Sequence, residues 1–152
     1  MAIYVCPDCS KVLQSSSKYK HKITCKERYY QNILEQLLQG KPKRLDVGIK
    51  TDITTDRFHA EVSHWKDWYN AIVRKIYCYQ CKDPKSELRI YFFGEYEVEK
   101  KQNIVRTCTH MDSRINVNVH VKLYECIDTG DGIIVMDLMT NQHLMDWRVQ
   151  SS

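Results

Sequence analysis

Apolar side chains recur along the chain with two different periods. Residues 27–38 carry them at helical spacing, and Gly40 follows where such a helix would end. Residues 65–76 repeat this pattern, which predicts an amphipathic helix packed against a sheet. Between the two helices, residues 45–62 alternate between apolar and polar side chains like a pair of strands, joined by a turn at residues 54–57.

The second half of the chain predicts strands separated by polar segments. The run LRIYFF at residues 88–93 is typical of a buried strand, and residues 116–124 alternate like a half-exposed one. Residues 133–136 predict a last strand, whereas residues 95–105 are polar enough for a surface helix or loop. We therefore expect an α+β or α/β fold over residues 27–152, with a single sheet flanked by helices.

Size and composition indicate one compact core with a small appendage. The 152 residues are 43% hydrophobic and 28% charged, a globular balance that argues against a disordered tail protein. No apolar run is long enough to cross a bilayer, and the first residues lack the features of a signal peptide. The sequence thus predicts an intracellular protein, neither secreted nor membrane-bound. In that setting, seven cysteines favour metal ligands and free thiols over disulfides.

Charge is distributed unevenly along the chain. Residues 1–50 contain ten Lys and Arg against four Asp and Glu, whereas residues 51–152 contain thirteen against fifteen. The excess of positive charge in residues 1–50 favours a polyanionic partner for this segment, since the rest of the chain is near neutral. A solvated surface would explain the same bias.

A candidate zinc site lies within the basic segment of residues 1–50. Cys6 and Cys9 form a CxxC pair, and His21 and Cys25 follow further along with three residues between them. A CxxC turn supplies two thiolates and a helix supplies two further ligands one turn apart, which suits tetrahedral zinc. We therefore predict that these four residues bind a structural zinc ion.

Residues 3–26 resemble the C2H2 zinc-finger family in its CCHC variant, although the spacer before His21 is one residue shorter than usual. The resemblance implies a small finger, assigned to residues 1–26, that contacts nucleic acid or a protein partner. Its lysines favour phosphate contacts, with DNA as the preferred partner, and its tip is poorly suited to reading bases. The predicted nucleic-acid-binding residues are Lys18, Lys20 and Lys22 of the finger and Lys41, Lys43 and Arg44 of a basic patch beyond the helix.

Two carboxylates flank the predicted hairpin turn. Asp52 follows one strand and Glu61 lies in the next, so the two side chains can converge on a divalent cation such as Mg²⁺. A purely structural interpretation is also open, in which Asp52 caps a turn and Glu61 forms a surface ion pair with Lys66 or Arg89.

Residues 51–72 resemble the PD-(D/E)XK nuclease superfamily, most closely the nuclease-like domains of large eukaryotic DNA viruses. In that family an Asp and a Glu bind metal, and a Lys two residues after the Glu helps to activate the attacking water. Asp52 and Glu61 match the metal-binding pair, but Ser63 stands at the Lys position. The resemblance implies a restriction-endonuclease-like fold with a Mg²⁺ site, in a viral protein of the host nucleus or cytoplasm.

Ser63 lacks the positive charge that would lower the pKa of an attacking water. We therefore expect a zinc-containing nucleic-acid-binding protein with a degenerate nuclease fold. One alternative is an active Mg²⁺-dependent nuclease in which Lys66, or else Lys50 or His64, replaces the missing lysine. Another is a structural protein that docks to a partner or pairs with a second copy through a sheet edge.

The remaining cysteines carry a weaker metal signal. Cys78 and Cys81 form a second CxxC pair, with Cys108, His110 and Cys126 further along the chain. Their irregular spacing favours buried free thiols over a second zinc site.

Overall fold

The computed structural model describes residues 2–7, 9–46, 49–83, 85–94, 98–115 and 121–148. These residues form three α-helices and nine strands, seven of which make one mixed sheet. None of the described helices combines the length and the apolar character required to cross a bilayer. The mixed α+β class predicted from the sequence is confirmed at this level.

The predicted zinc finger and the predicted domain of residues 27–152 share one helix. Strands β1 (Ile3–Val5) and β2 (Val12–Gln14) form an antiparallel hairpin that leads through a 3₁₀ turn into α1 (Lys18–Leu38). Since α1 is continuous, the predicted boundary between residues 26 and 27 lies inside it.

The end of α1 differs in detail from the sequence prediction. Gln39, rather than the glycine after it, adopts the left-handed backbone conformation that stops the helix, with φ of 55°. Gly40 is needed for close packing instead, because a Cβ atom there would lie 2.5 Å from Cγ2 of Ile53.

Three antiparallel strands follow α1, namely β3 (Lys41–Asp46), β4 (Ile49–Thr54) and β5 (Phe58–His64). The sequence pattern predicted two strands here, because the polar residues of the edge strand β3 hid its alternation. The predicted turn is confirmed, since the N–H of Thr55 donates to the Phe58 carbonyl at 2.9 Å. Residues 47 and 48 lie outside the described chain.

Two helical crossovers build the parallel centre of the sheet. Helix α2 (Trp68–Lys82) connects β5 to β6 (Glu87–Phe93), and α3 (Val98–Ile115) connects β6 to β7 (Val121–Asp128). Strands β8 (Gly132–Asp137) and β9 (His143–Arg148) then add antiparallel hairpins, so the sheet order follows the chain from β3 to β9.

In the second half of the chain, the predicted strands with a strongly apolar pattern are confirmed. The strands expected at residues 88–93 and 133–136 are present, and the described part of the polar segment 95–105 belongs to α3. The described strand β7 begins at Val121, and residues 95–97 and 116–120 lie outside the described chain. Strand β9 was missed because most of its side chains are exposed, which leaves little apolar signal.

The sheet separates two hydrophobic cores. Helix α1 packs on one face, where Leu34 is fully buried among apolar residues of the central strands. Helices α2 and α3 cover the other face, where Trp65 stacks on Phe92 with ring centroids 4.8 Å apart. Alternation along β5 places Val62 on the α1 face and Glu61 on the α2 face.

Candidate metal centres

The four predicted zinc ligands meet at one point. The ligand atoms of Cys6, Cys9, His21 and Cys25 all lie within 4.8 Å of one another. The Sγ atoms of Cys6 and Cys25 are 4.0 Å apart, and Sγ of Cys9 lies 3.2 Å from Nε2 of His21. Tetrahedral zinc with bonds of about 2.3 Å separates its ligands by about 3.8 Å, so these residues could hold a zinc ion.

The hairpin and the helix supply two ligands each. Cys6 and Cys9 lie in the turn between β1 and β2, where the Ser10 N–H donates to the Cys6 carbonyl at 2.9 Å. His21 and Cys25 lie one turn apart on α1. Burial, together with the neighbouring thiols of Cys9 and Cys6, raises the pKa of Cys25 to about 11. Zinc would reverse this shift, because its ligand is the thiolate.

The described side chains of the second cysteine set form no cluster of this kind. Among the described side chains, the finger ligands are the one group of three or more His, Cys, Asp or Glu at this spacing. Cys108 and Cys126 are both buried, and burial raises the pKa of the Cys126 thiol to about 12. The side chains of Cys81 and His110 lie outside the described part of the chain.

A second candidate site lies between α1, β4, β5 and α2. Here a cavity of about 380 Å³ is lined by carboxylates from three elements, Glu27 of α1, Asp52 of β4 and Glu61 of β5. Helix α2 contributes Lys75 to the same cavity. Ser63, Asp67, Asn70 and Arg74 are further polar lining residues.

Asp52 is fixed at the point where β4 and β5 separate. The ladder between the two strands includes the pair Ile53 and Ala60. Beyond this pair, Oδ2 of Asp52 accepts the Val62 N–H at 2.8 Å, in place of a backbone carbonyl. This contact holds the Asp52 carboxylate beside Glu61, the residue before Val62.

Glu61 is the most deeply buried of the three carboxylates, with 4% of its surface exposed. Its Oε1 accepts a hydrogen bond from the Tyr79 hydroxyl, and Nζ of Lys75 lies 3.7 Å from Oε2. Burial and then the charge of Asp52 raise the pKa of Glu61 well above its ordinary value, against the opposing effects of Lys75 and Tyr79. Burial and the nearby Asp52 charge therefore favour the protonated form of Glu61, although Lys75 lies close to it.

Glu27 is a third carboxylate in this cavity, which we call the acidic cavity. Burial, followed by the charges of Asp52 and Asp67, raises its pKa to about 7, while Lys75 has the opposite effect. Crowded carboxyl groups whose pKa values are raised by burial and by neighbouring charges are characteristic of functional sites.

The predicted surface pairing of Glu61 with Lys66 or Arg89 is wrong. Glu61 is buried in the cavity wall because it lies on the α2 face of β5, where Lys75 reaches it. Arg89 instead pairs with Glu87, with Nε 2.8 Å from Oε2.

The predicted catalytic residues are brought together only in part. Asp52 and Glu61 share the cavity, whereas Lys66 is exposed ahead of α2 and is absent from the described cavity lining. Lys50 is exposed on β4, and His64 lines a different cavity.

Sequence analysis assigned Glu27, Lys75 and Tyr79 no role in the carboxylate site. Glu27 lies seven residues before Leu34, on the apolar stripe of α1, so a charge on that stripe is the signal that could have identified it. Lys75 lies midway between Ala71 and Tyr79 at four-residue spacing, on the side of α2 that faces the sheet.

The predicted nucleic-acid-binding side chains are all exposed and occupy two elements. The early turns of α1 carry Lys18, Lys20 and Lys22, and the edge strand β3 carries Lys41, Lys43 and Arg44. Lys22 differs from the rest because it also lines a cavity.

Comparisons of the chain with protein-family models, curated proteins and solved structures give no significant match. The zinc-finger resemblance is supported by the geometry of its four ligands. The nuclease resemblance remains a prediction from the motif residues.

Proposed function

We propose that the chain is a zinc-containing nucleic-acid-binding protein that hydrolyses phosphodiester bonds with a divalent metal in the acidic cavity. The convergence of Glu27, Asp52 and Glu61 with Lys75 in this cavity carries the proposal. Mg²⁺ takes oxygen ligands, commonly one or two carboxylates, with water and substrate phosphate completing its coordination. Asp52 and Glu61 would hold the ion, and Glu27 adds negative charge that favours its entry.

Lys75 provides the positive charge that Ser63 does not. Both Glu61 and Ser63 line the cavity from β5, and Lys75 approaches the same face from α2. An ammonium group at this position stabilises the negative charge that develops on a phosphate during hydrolysis. Tyr79 fixes the orientation of the Glu61 carboxylate by donating to Oε1. The bound cation would lower the pKa of the attacking water.

The charge of α1 supports nucleic acid as the substrate. The helix carries exposed lysines from Lys18 onwards before it reaches Glu27 in the cavity. At 1.5 Å per residue this stretch is about 14 Å long, which matches a few phosphate spacings of a nucleic-acid strand. A strand held along α1 would therefore lead towards the acidic cavity.

A second candidate function is nucleic-acid binding without cleavage. The observation that favours it is Ser63, an uncharged residue at the position where the resembled family has its lysine. In that case binding is salt-dependent and survives the loss of the carboxylates, while no phosphodiester bond is cut.

A cleavage assay tests the proposal. End-labelled single- and double-stranded DNA and RNA are incubated with the zinc-loaded protein and Mg²⁺ or Mn²⁺, then with EDTA. We expect metal-dependent cleavage that Glu61→Gln reduces at least 100-fold. The matched control Glu99→Gln changes an exposed carboxylate of α3 and should retain cleavage within twofold. Binding without cleavage supports the second candidate, and cleavage that persists in Glu61→Gln contradicts the first.

A further inference from the structure

A second cavity, of about 670 Å³, lies on the opposite face of the sheet from Glu61. Its size is within the range of about 300–1,000 Å³ that is usual for small-molecule sites. One wall belongs to α1, and the other is formed by the carboxyl ends of β5, β6 and β7, where open sheets commonly bind ligands. The lining includes Lys22, Lys26 and Tyr30 of the helix and His64, Phe93 and Asp128 of the strands.

The floor of this cavity is aromatic and apolar. Tyr30 and Phe93 stack with ring centroids 4.7 Å apart and an interplanar angle of 30°. His64 meets Phe93 edge-on at 5.2 Å, and Ile127 extends the apolar surface at the rim, where it is 39% exposed. The Tyr30 and Phe93 rings are themselves buried, at 4% and 1% exposure, so they form an apolar floor against which a planar ring could lie rather than a free stacking face.

His64 offers a fixed hydrogen-bond donor at the cavity wall. Its Nδ1 accepts the Lys66 N–H at 3.1 Å, so the neutral ring carries its proton on Nε2. Burial lowers the pKa of His64, which favours this neutral form. A Cβ atom on Gly94 would lie 2.7 Å from Nε2, so this nitrogen lies directly against the glycine that lines the cavity.

Three lysines follow α1 along the side of the cavity that this helix forms. Lys18, Lys22 and Lys26 follow one another at four-residue spacing, and the last two line the cavity. None of the three forms an ion pair with a carboxylate among the described residues. Like charges at this spacing destabilise a helix, and a bound anion would remove that repulsion.

We infer that this cavity binds one nucleotide unit, with its base against Tyr30 and Phe93 and its phosphate at Lys22 and Lys26. Asp128 and His64 would then contact donors and acceptors of the base or sugar. The aromatic floor and the lysines recognise different parts of the ligand, so neither phosphate alone nor a nucleoside alone satisfies the site. The unit is a free nucleotide or the terminal nucleotide of a strand.

The inference deepens the proposed function and rests on it for the class of ligand. Neighbouring residues line the two cavities, with Lys26 and His64 in the larger one and Glu27 and Ser63 in the acidic one. A nucleotide in the larger cavity would therefore contact residues adjacent in sequence to those of the proposed metal site.

Calorimetric titration of the full zinc-loaded chain in Mg²⁺-free buffer tests the inference. Adenosine 5′-monophosphate and thymidine 5′-monophosphate should bind at least tenfold more tightly than adenosine or ribose 5-phosphate. The double variant Lys22→Ala, Lys26→Ala should weaken nucleotide binding at least tenfold. Its matched control, Lys11→Ala with Arg28→Ala, removes the same charge from exposed positions outside the cavity and should stay within twofold. Equal binding of the fragments, or equal effects of both double variants, would overturn the inference.

Competition with a 5′-phosphorylated tetranucleotide identifies the source of the unit. Displacement of the mononucleotide by a tighter-binding tetranucleotide supports a strand end, and mononucleotide binding that the tetranucleotide does not disturb supports a free nucleotide. If neither ligand binds, the inference is wrong.

The same titration on Glu61→Gln separates this inference from the proposed reaction. We expect unchanged nucleotide affinity in a protein that no longer cleaves. Lysine-dependent nucleotide binding in a wild-type protein that never cleaves would retain the inference and remove the nuclease. Cleavage by a wild-type protein that binds no mononucleotide would do the reverse.

Discussion

The ammonium nitrogen of Lys75 lies 3.7 Å from Oε2 of Glu61, although the lysine belongs to helix α2 and the carboxylate to strand β5. Both residues line the cavity that also contains Ser63 and Asp52. In the proposed reaction, the neighbouring helix would thus supply the positive charge that the nuclease motif places on the strand.

Replacement of this lysine should abolish cleavage. We expect Lys75→Met to lower the rate at least 100-fold, the usual cost of losing one group that stabilises the transition state. Lys85→Met, at an exposed position, should change the rate by less than twofold. Lys66→Met tests the rival lysine proposed from the sequence, and a larger loss in Lys66→Met than in Lys75→Met would refute the role of Lys75.

Moving the charge back to the strand should restore activity. If Lys75 replaces the lysine of the motif, adding Ser63→Lys to Lys75→Met should recover at least tenfold of the lost rate, because position 63 lines the same cavity. Single-turnover rates at saturating protein provide the measurement. A folded double variant that binds substrate but recovers nothing would show that positions 63 and 75 are not equivalent.

Without Mg²⁺ or Mn²⁺ in the acidic cavity, the protein should become less stable as pH rises. Glu27 has its pKa raised from 4.5 to about 7, so the folded state binds more protons than the unfolded state between these values. The free energy of unfolding of the zinc-loaded protein in buffer without Mg²⁺ or Mn²⁺ should therefore fall from about pH 5 to pH 7.5, and Glu27→Gln should reduce that fall. Denaturant titrations of both proteins across this range measure the difference, which isolates Glu27 from His64 and the other titrating groups. Parallel pH profiles would contradict the assignment.

Tyr79 should contribute to stability through its contact with Glu61. Tyr79→Phe leaves a buried acceptor without its donor, and we expect the free energy of unfolding to drop by about 1–3 kcal/mol. Tyr77→Phe on the same helix removes a hydroxyl from a side chain that is 48% exposed, and it should cost less than about 0.5 kcal/mol. Equal costs in urea denaturation would argue against a structural role for the Tyr79 hydroxyl.

The finger should bind one zinc ion and organise the first turns of α1. Native mass spectrometry should show one zinc per chain in the wild type and none in Cys6→Ser, whereas Cys78→Ser should keep the metal. Loss of zinc should also reduce the helical circular-dichroism signal, since two of the ligands lie on α1. Full zinc retention in Cys6→Ser would contradict the site.

The features found from the sequence are those encoded locally. The spacing of Cys6, Cys9, His21 and Cys25 identified a cluster that the fold brings together. The β4–β5 hairpin likewise brought Asp52 beside Glu61, since the Asp52 carboxylate accepts the N–H of the next residue, Val62.

The features missed depend on how helices pack on the sheet. Glu27 and Lys75 reach the cavity only because α1 and α2 cross the sheet near the end of β5, an arrangement that no sequence period specifies. The edge strands β3 and β9 were missed for another reason, since their mostly exposed side chains lack the alternation that burial imposes.

Binding of Mn²⁺ to the zinc-loaded protein tests the metal site most directly, because it requires neither substrate nor turnover. Electron paramagnetic resonance of free Mn²⁺ gives the affinity for the wild type, Asp52→Asn, Glu61→Gln and the control Glu99→Gln. The acidic cavity predicts a Mn²⁺ site that weakens at least tenfold in each cavity variant and stays within twofold in the control. A wild type that binds no Mn²⁺, or four proteins that bind it equally, would contradict a metal-dependent reaction at Asp52 and Glu61.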